Sequence, residues 1–97
     1  MTMHNPPHPG EFIRSVYLEP FGMSARTLAE NLAVSPSTLN RVITGKSGIS
    51  PDMALRLSKA LGRSAESWLA MQDHYDLWQA KQKANLDKVR HIEFAAA

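Results

Sequence analysis

The stretch Ser24-Ala25-Arg26-Thr27-Leu28-Ala29-Glu30-Asn31-Leu32-Ala33-Val34-Ser35-Pro36-Ser37-Thr38-Leu39-Asn40-Arg41-Val42-Ile43-Thr44-Gly45-Lys46 decides the fold. Ser24 and Ser35 each precede an apolar helical pattern, where a hydroxyl can accept from the free N–H groups of a first turn. Met23 with Leu28, and Val34 with Leu39, are spaced as hydrophobic staples around those two serines. Pro36 follows Ser35 at the first helical position, where its missing N–H costs nothing. Gly45 stands where a chain leaves a helix in the left-handed conformation. These signals predict helices over about 25–32 and 36–44, joined by a tight turn at Ala33-Val34-Ser35.

The two predicted helices have complementary inner faces. Leu28, Ala29 and Leu32 face inward from the first, and Leu39, Val42 and Ile43 from the second. Ala29 is small where two steeply crossing helices must approach closely. This is the helix-turn-helix layout, in which the second helix is presented to the major groove. Its outer face carries Ser37, Asn40, Arg41 and Thr44, with Thr38 at the edge, and no acid. Arginine can grip guanine and asparagine can grip adenine with two hydrogen bonds each, and Ser or Thr can serve a base or a phosphate. Ser24 and Arg26 would flank the same DNA backbone, and Lys46 in the following loop is a natural phosphate partner. Two capped helices with a polar outer face also describe an ordinary all-α domain, so the pattern alone leaves both readings open.

Outward from this unit the chain continues as helix. Pro6, Pro7 and Pro9 break the ladder before residue 10. From Gly10, the residues Phe12, Ile13, Val16 and Tyr17 form one stripe that stops before Pro20. Ser50-Pro51 starts a helix over about 51–61, ended by Gly62, and Ser64 caps a last helix running to about Asn85. Trp68, Met71, Tyr75 and Trp78 follow a 3-4-3 spacing, the seam of a packed helix. Core or dimer seam is the preferred reading for Trp68, Tyr75 and Trp78, rather than a ligand pocket. Val89–Phe94 alternates, and is read as a short strand or a disordered end. The expectation is an all-α, five-helix single domain over 1–97, with the motif at about 24–45 and a C-terminal helix and tail at about 64–97.

Composition narrows the function classes. The chain has 97 residues, which fits one compact core. It has no cysteine, which excludes disulfide and cysteine–zinc frameworks and favours a reducing compartment. No signal peptide is visible, and no apolar run approaches the roughly 20 residues that span a bilayer. A cytoplasmic protein with no membrane association is expected. The net charge is +2, with the bias in the middle, where Arg26, Arg41 and Lys46 stand against Glu30. That is compatible with a phosphate-facing surface and equally with an ordinary mixed one. His4, His8, His74 and His91 match no zinc spacing, so no metal is expected. Asp73, His74 and Asp76 do not converge on one point of a helix, and there is neither a phosphate loop nor a nucleophile elbow. No catalytic residue and no cofactor are expected; the chain does not read as an enzyme.

Residues Leu28 to Lys46 resemble the lambda-repressor-like (XRE) helix-turn-helix family, and the likeness extends to its HigA/VapI antitoxin group. It begins at His8-Pro9-Gly10-Glu11, continues through Gly48-Ile49-Ser50-Pro51-Asp52-Met53-Ala54-Leu55-Arg56-Leu57, Ala60-Leu61-Gly62 and Ser67-Trp68-Leu69, and reaches Tyr75-Asp76-Leu77-Trp78. The resemblance implies a dimeric antitoxin that neutralises a RelE-like ribonuclease toxin and represses its own operon by binding operator DNA. It puts base contacts on Ser37, Thr38 and Arg41, with Asn40 adjacent, and backbone contacts on Ser24, Ser35, Thr44 and Lys46. Two positions depart from the family pattern. Ala33 stands where the turn often has glycine, at a cost of roughly 1–2 kcal/mol if left-handed. Ala25 stands where glutamine often makes a phosphate contact. The alternatives are a stand-alone regulator without a toxin, and a toxin-binding module that does not touch DNA.

Overall fold

A computed structural model of the chain describes residues 5–95. The first helix, α1, spans Pro9–Ile13 and runs on without a break as a π-helical segment, Arg14–Leu18. It starts one residue earlier than the prolines suggest, because Pro9 occupies a first-turn position that needs no N–H. His8 caps it: the Gly10 N–H donates to His8 Nδ1 at 2.9 Å. In the wider segment the Glu19 N–H reaches back five residues to the Arg14 carbonyl, at 2.9 Å. That winding turns Leu18 into the core at 6% exposure and leaves Val16 outside at 39%. The expected stripe through Val16 is therefore corrected; Pro9, Gly10 and Ile13 are buried along α1, and Leu18 along the π-helical segment after it.

Four more helices follow: α2 (Ala25–Leu32), α3 (Pro36–Ile43), α4 (Pro51–Leu61) and α5 (Ala65–Lys83). Each begins as the serines predict. Ser24, Ser35, Ser50 and Ser64 each accept the N–H three residues on, at 3.1 Å in all four cases. Gly62 ends α4 at φ +95°, and Ala33 ends α2 in the left-handed region at φ 58°, ψ 42°.

The core is built from Ile13 and Leu18 of α1, Leu28, Ala29 and Leu32 of α2, and Leu39 and Val42 of α3. Ile49, then Met53, Ala54 and Leu57 of α4, and Trp68 of α5 complete it. Ala29 has no exposed surface, as its role at the α2–α3 crossing requires. Helix α3 is held between α1 and α2, and α5 lies along α4 and touches α1. Gly10 is the closest approach, since a Cβ there would stand 1.9 Å from the Val42 carbonyl oxygen. After Lys83 the chain is exposed throughout residues 84–95 and forms no strand among the described residues. The strand alternative for Val89–Phe94 is corrected: nothing lies alongside to supply a hydrogen-bonding edge. No helix among the described residues is long and apolar enough to cross a membrane.

Candidate nucleic-acid interface

The α2–α3 unit fixes which side of α3 faces out. With Leu39 and Val42 buried and Ile43 half-buried, Ser37, Asn40 and Arg41 are left exposed. At eight residues α3 is about 12 Å long, a rod short enough to lie in one groove. Ala25 of α2 and Pro36, Ser37 and Asn40 of α3 line one shallow recess, so the start of α2 shares a surface with the outer face of α3. Arg26, Arg41 and Lys46 are exposed, and their charges enter no ion pair among the described residues.

The remaining candidate residues are partly occupied by structure. Ser24 and Ser35 spend their oxygens as helix caps, and each hydroxyl also pairs with the threonine three residues on, Thr27 at 3.0 Å and Thr38 at 2.8 Å. Thr38 is half-buried. Thr44 donates back to the Asn40 carbonyl at 2.8 Å and lies at the far end of α3 with Lys46, away from Ser24 and Ser35. The nine candidates thus form a strip: Ser24, Arg26 and Ser35 at the N-terminal end, Ser37, Asn40 and Arg41 along the middle, Thr44 and Lys46 beyond, and Thr38 at the inner edge.

The candidate dimer seam divides. Trp68 has no exposed surface; Phe12 and Tyr17 pack around it, with ring centroids at 5.9 and 6.2 Å. It is a core residue with nothing to offer a second copy, which corrects the expectation of a contact there. Tyr75 and Trp78 are half-buried, and Leu77 beside them is 54% exposed.

Three residues that secure this surface escaped the sequence reading. Arg56 on α4 donates from Nη1 to the Leu32 and Ala33 carbonyls at 2.9 and 3.1 Å, closing the end of α2, and its Nε donates to Asp52 at 2.8 Å. The i, i+4 spacing of Asp52 and Arg56 signals their pairing but not the bond to the turn. Gln72, buried on α5, accepts the Ile49 N–H at 2.8 Å. His8 lies edge-on to Tyr75, with ring centroids 4.9 Å apart. Burial pushes its imidazole below the ordinary value of 6.5, while Asp76, a hydrogen bond to the Ser47 backbone and Glu11 pull the other way. Pro9 at a first-turn position does signal residue 8 as the cap.

Residues 16–68 match the family model for the helix-turn-helix. Virulence-associated protein I of Dichelobacter nodosus is 51% identical over 75 residues, covering 77% of this chain and 69% of the relative. Antitoxin HigA-1 of Vibrio cholerae is 34% identical over 82 residues, covering 84% of this chain and 77% of the relative. The chain belongs to the helix-turn-helix family, in its HigA/VapI antitoxin group. Among solved structures, antitoxin GraA in complex with its operator superposes with a TM-score of 0.81 at 35% identity, covering 100% of this chain and 98% of that one. This HigA-type chain is accordingly a helix-turn-helix regulator rather than an enzyme.

Proposed function

We propose that this chain is an autorepressing antitoxin, a cytoplasmic single-domain protein. As a homodimer it inserts two copies of α3 into successive major grooves of a palindromic operator, about 34 Å apart, and it neutralises a RelE-like ribonuclease toxin. The observation that carries the DNA half is the outer face of α3. Ser37, Asn40 and Arg41 are exposed there. Arg26 and Lys46, which enter no ion pair among the described residues, flank them. A surface that only needed solvation has no reason to collect bidentate base-reading groups on one short helix with cations at both ends. Thr38, half-buried at the edge, is the weakest of the base-contact positions; Ser24, Ser35 and Thr44 meet the phosphates beside their structural bonds.

Two half-sites are required because three or four base contacts on one short helix give too little discrimination, each mismatch costing about 1–3 kcal/mol. Tyr75 and Trp78, with Leu77 between them, form the proposed contact between copies. Two operator-bound relatives support the reading, antitoxin GraA with its operator and Pseudomonas aeruginosa antitoxin HigA with the higBA promoter. The test is a gel shift on the chain's own upstream region. Arg41→Ala should lower affinity by about 1–3 kcal/mol and leave the circular dichroism spectrum unchanged, because the Arg41 side chain is exposed. Unchanged affinity would mean that the recognition face has been assigned wrongly. Co-purification with the product of the neighbouring gene tests the toxin half.

A further inference from the structure

The loop after α3 is held by a buried side chain from the other side of the molecule. Gly45 leaves α3 at φ +80°, and both the Lys46 and Ser47 N–H groups turn back to the Arg41 carbonyl, at 2.8 and 3.1 Å. Two residues later the loop lies flat on Gln72 of α5, which is 7% exposed. Gln72 Oε1 accepts the Ile49 N–H at 2.8 Å, and Nε2 donates to Asp76 Oδ1 at 2.9 Å. A Cβ at Gly48 would stand 2.9 Å from Gln72 Cδ, so the backbone can approach the carboxamide this closely only as glycine. The loop therefore has two fixed ends, Lys46 and Ser47 on α3 and Ile49 on α5, only two residues apart.

We propose that Gln72 is a positioning residue for DNA binding, its carboxamide holding the Gly45–Ile49 loop so that Lys46 meets a backbone phosphate. The proposal rests on the reading that the outer face of α3 binds DNA. Geometry favours this role over simple core filling. A core-filling side chain needs no acceptor, yet here the amide is oriented by Asp76 so that its oxygen, and not its nitrogen, faces the Ile49 N–H. A buried amide N–H left without that acceptor must find water, and the loop can reach water only by lifting off α5. Lifting it pulls through Gly48 on Ser47 and Lys46, whose N–H groups share the Arg41 carbonyl, so the Lys46 side chain loses its fixed position at the C-terminal end of α3. Gln72 also lies one turn before Tyr75 on the helix proposed to join two copies, so whatever shifts α5 is felt at the phosphate-facing loop.

The test measures affinity of the full chain for a duplex of its own upstream region across a salt series, with Gln72→Leu, Lys46→Ala and the double variant. Losing one phosphate contact should lower the slope of log affinity against log salt by about one. Gln72→Leu should show that loss with a several-fold drop in affinity, and Lys46→Ala should add nothing to it. The reversed pair Gln72→Glu with Asp76→Asn keeps an acceptor for Ile49 and a donor beside it, and should restore the wild-type slope. If Gln72→Leu fails to fold, Gly48→Ala replaces it, since its Cβ displaces the carboxamide from the loop. A wild-type slope in the single variant, or an undiminished Lys46→Ala effect in the double variant, overturns the positioning role alone. Wild-type protein that does not prefer this duplex to a scrambled one overturns the DNA-binding reading, and this proposal with it.

Discussion

Ala33 holds φ at +58° with a Cβ that glycine would not have, and Arg56 donates to its carbonyl and to that of Leu32. A left-handed alanine costs roughly 1–2 kcal/mol, partly offset because glycine has more conformational freedom to lose on folding. Ala33→Gly should therefore raise stability by about 0.5–1 kcal/mol, read as a higher urea midpoint at unchanged slope; a lower midpoint would mean that the alanine methyl has a packing role. His8 gives a second residue-scale prediction. Its Nδ1 accepts from Gly10, so the neutral ring is the one the fold uses, and its lowered pKa means that the unfolded chain takes up the proton first. Stability from this group is complete above the ordinary imidazole value of 6.5 and is lost as pH falls from there through the lower folded value. Asp76 and Glu11 face the ring and moderate the loss. His8→Asn keeps a cap acceptor without the titration, so its melting temperature should fall less than that of wild type between pH 7.5 and 5.5. Parallel curves for the two would contradict this.

Among the elements, α2 to α5 are legible in the sequence because each start is written in local chemistry, a capping serine, joined at Ser24 and Ser35 by an apolar pair and at Ser35 and Ser50 by a proline. Their ends at Gly62 and Ala33 follow the same local logic. The π-helical turn of α1 was not legible. Its five-residue spacing from Ile13 to Leu18 suits neither the helix nor the strand period, so no local pattern marks it. The outward strip on α3 could be read because burying Leu39 and Val42 dictates what remains. Arg56, Gln72 and His8 could not be assigned their partners, because their bonds join residues 23, 24 and 39 positions apart in the chain. Packing at the element scale is tested at Gly10. Alanine is the better helix former by about 1 kcal/mol, yet its Cβ would meet the Val42 and Ile43 backbone at 1.9–2.7 Å. Gly10→Ala should lose about 1–3 kcal/mol as α1 is forced off α3; a rise in stability would mean that the two helices are not in contact in solution.

For the whole molecule, the fold is an arrangement that leaves one face of a short helix clear. Helices α1 and α2 clasp α3 from behind, α4 closes the turn through Arg56, and α5 anchors the loop beyond it through Gln72. The exposed Leu77 and the apolar tail residues Leu86, Val89, Ile92 and Phe94 lie on or beyond α5, after the motif in the chain. Backbone amide chemical shifts, followed as the chain's own upstream duplex is added, test the central assignment most directly. The largest changes should fall on residues 24–26 and 35–46, with α4 little altered. Changes concentrated on α4 or the tail, with Ser37, Asn40 and Arg41 unmoved at saturation, would contradict it.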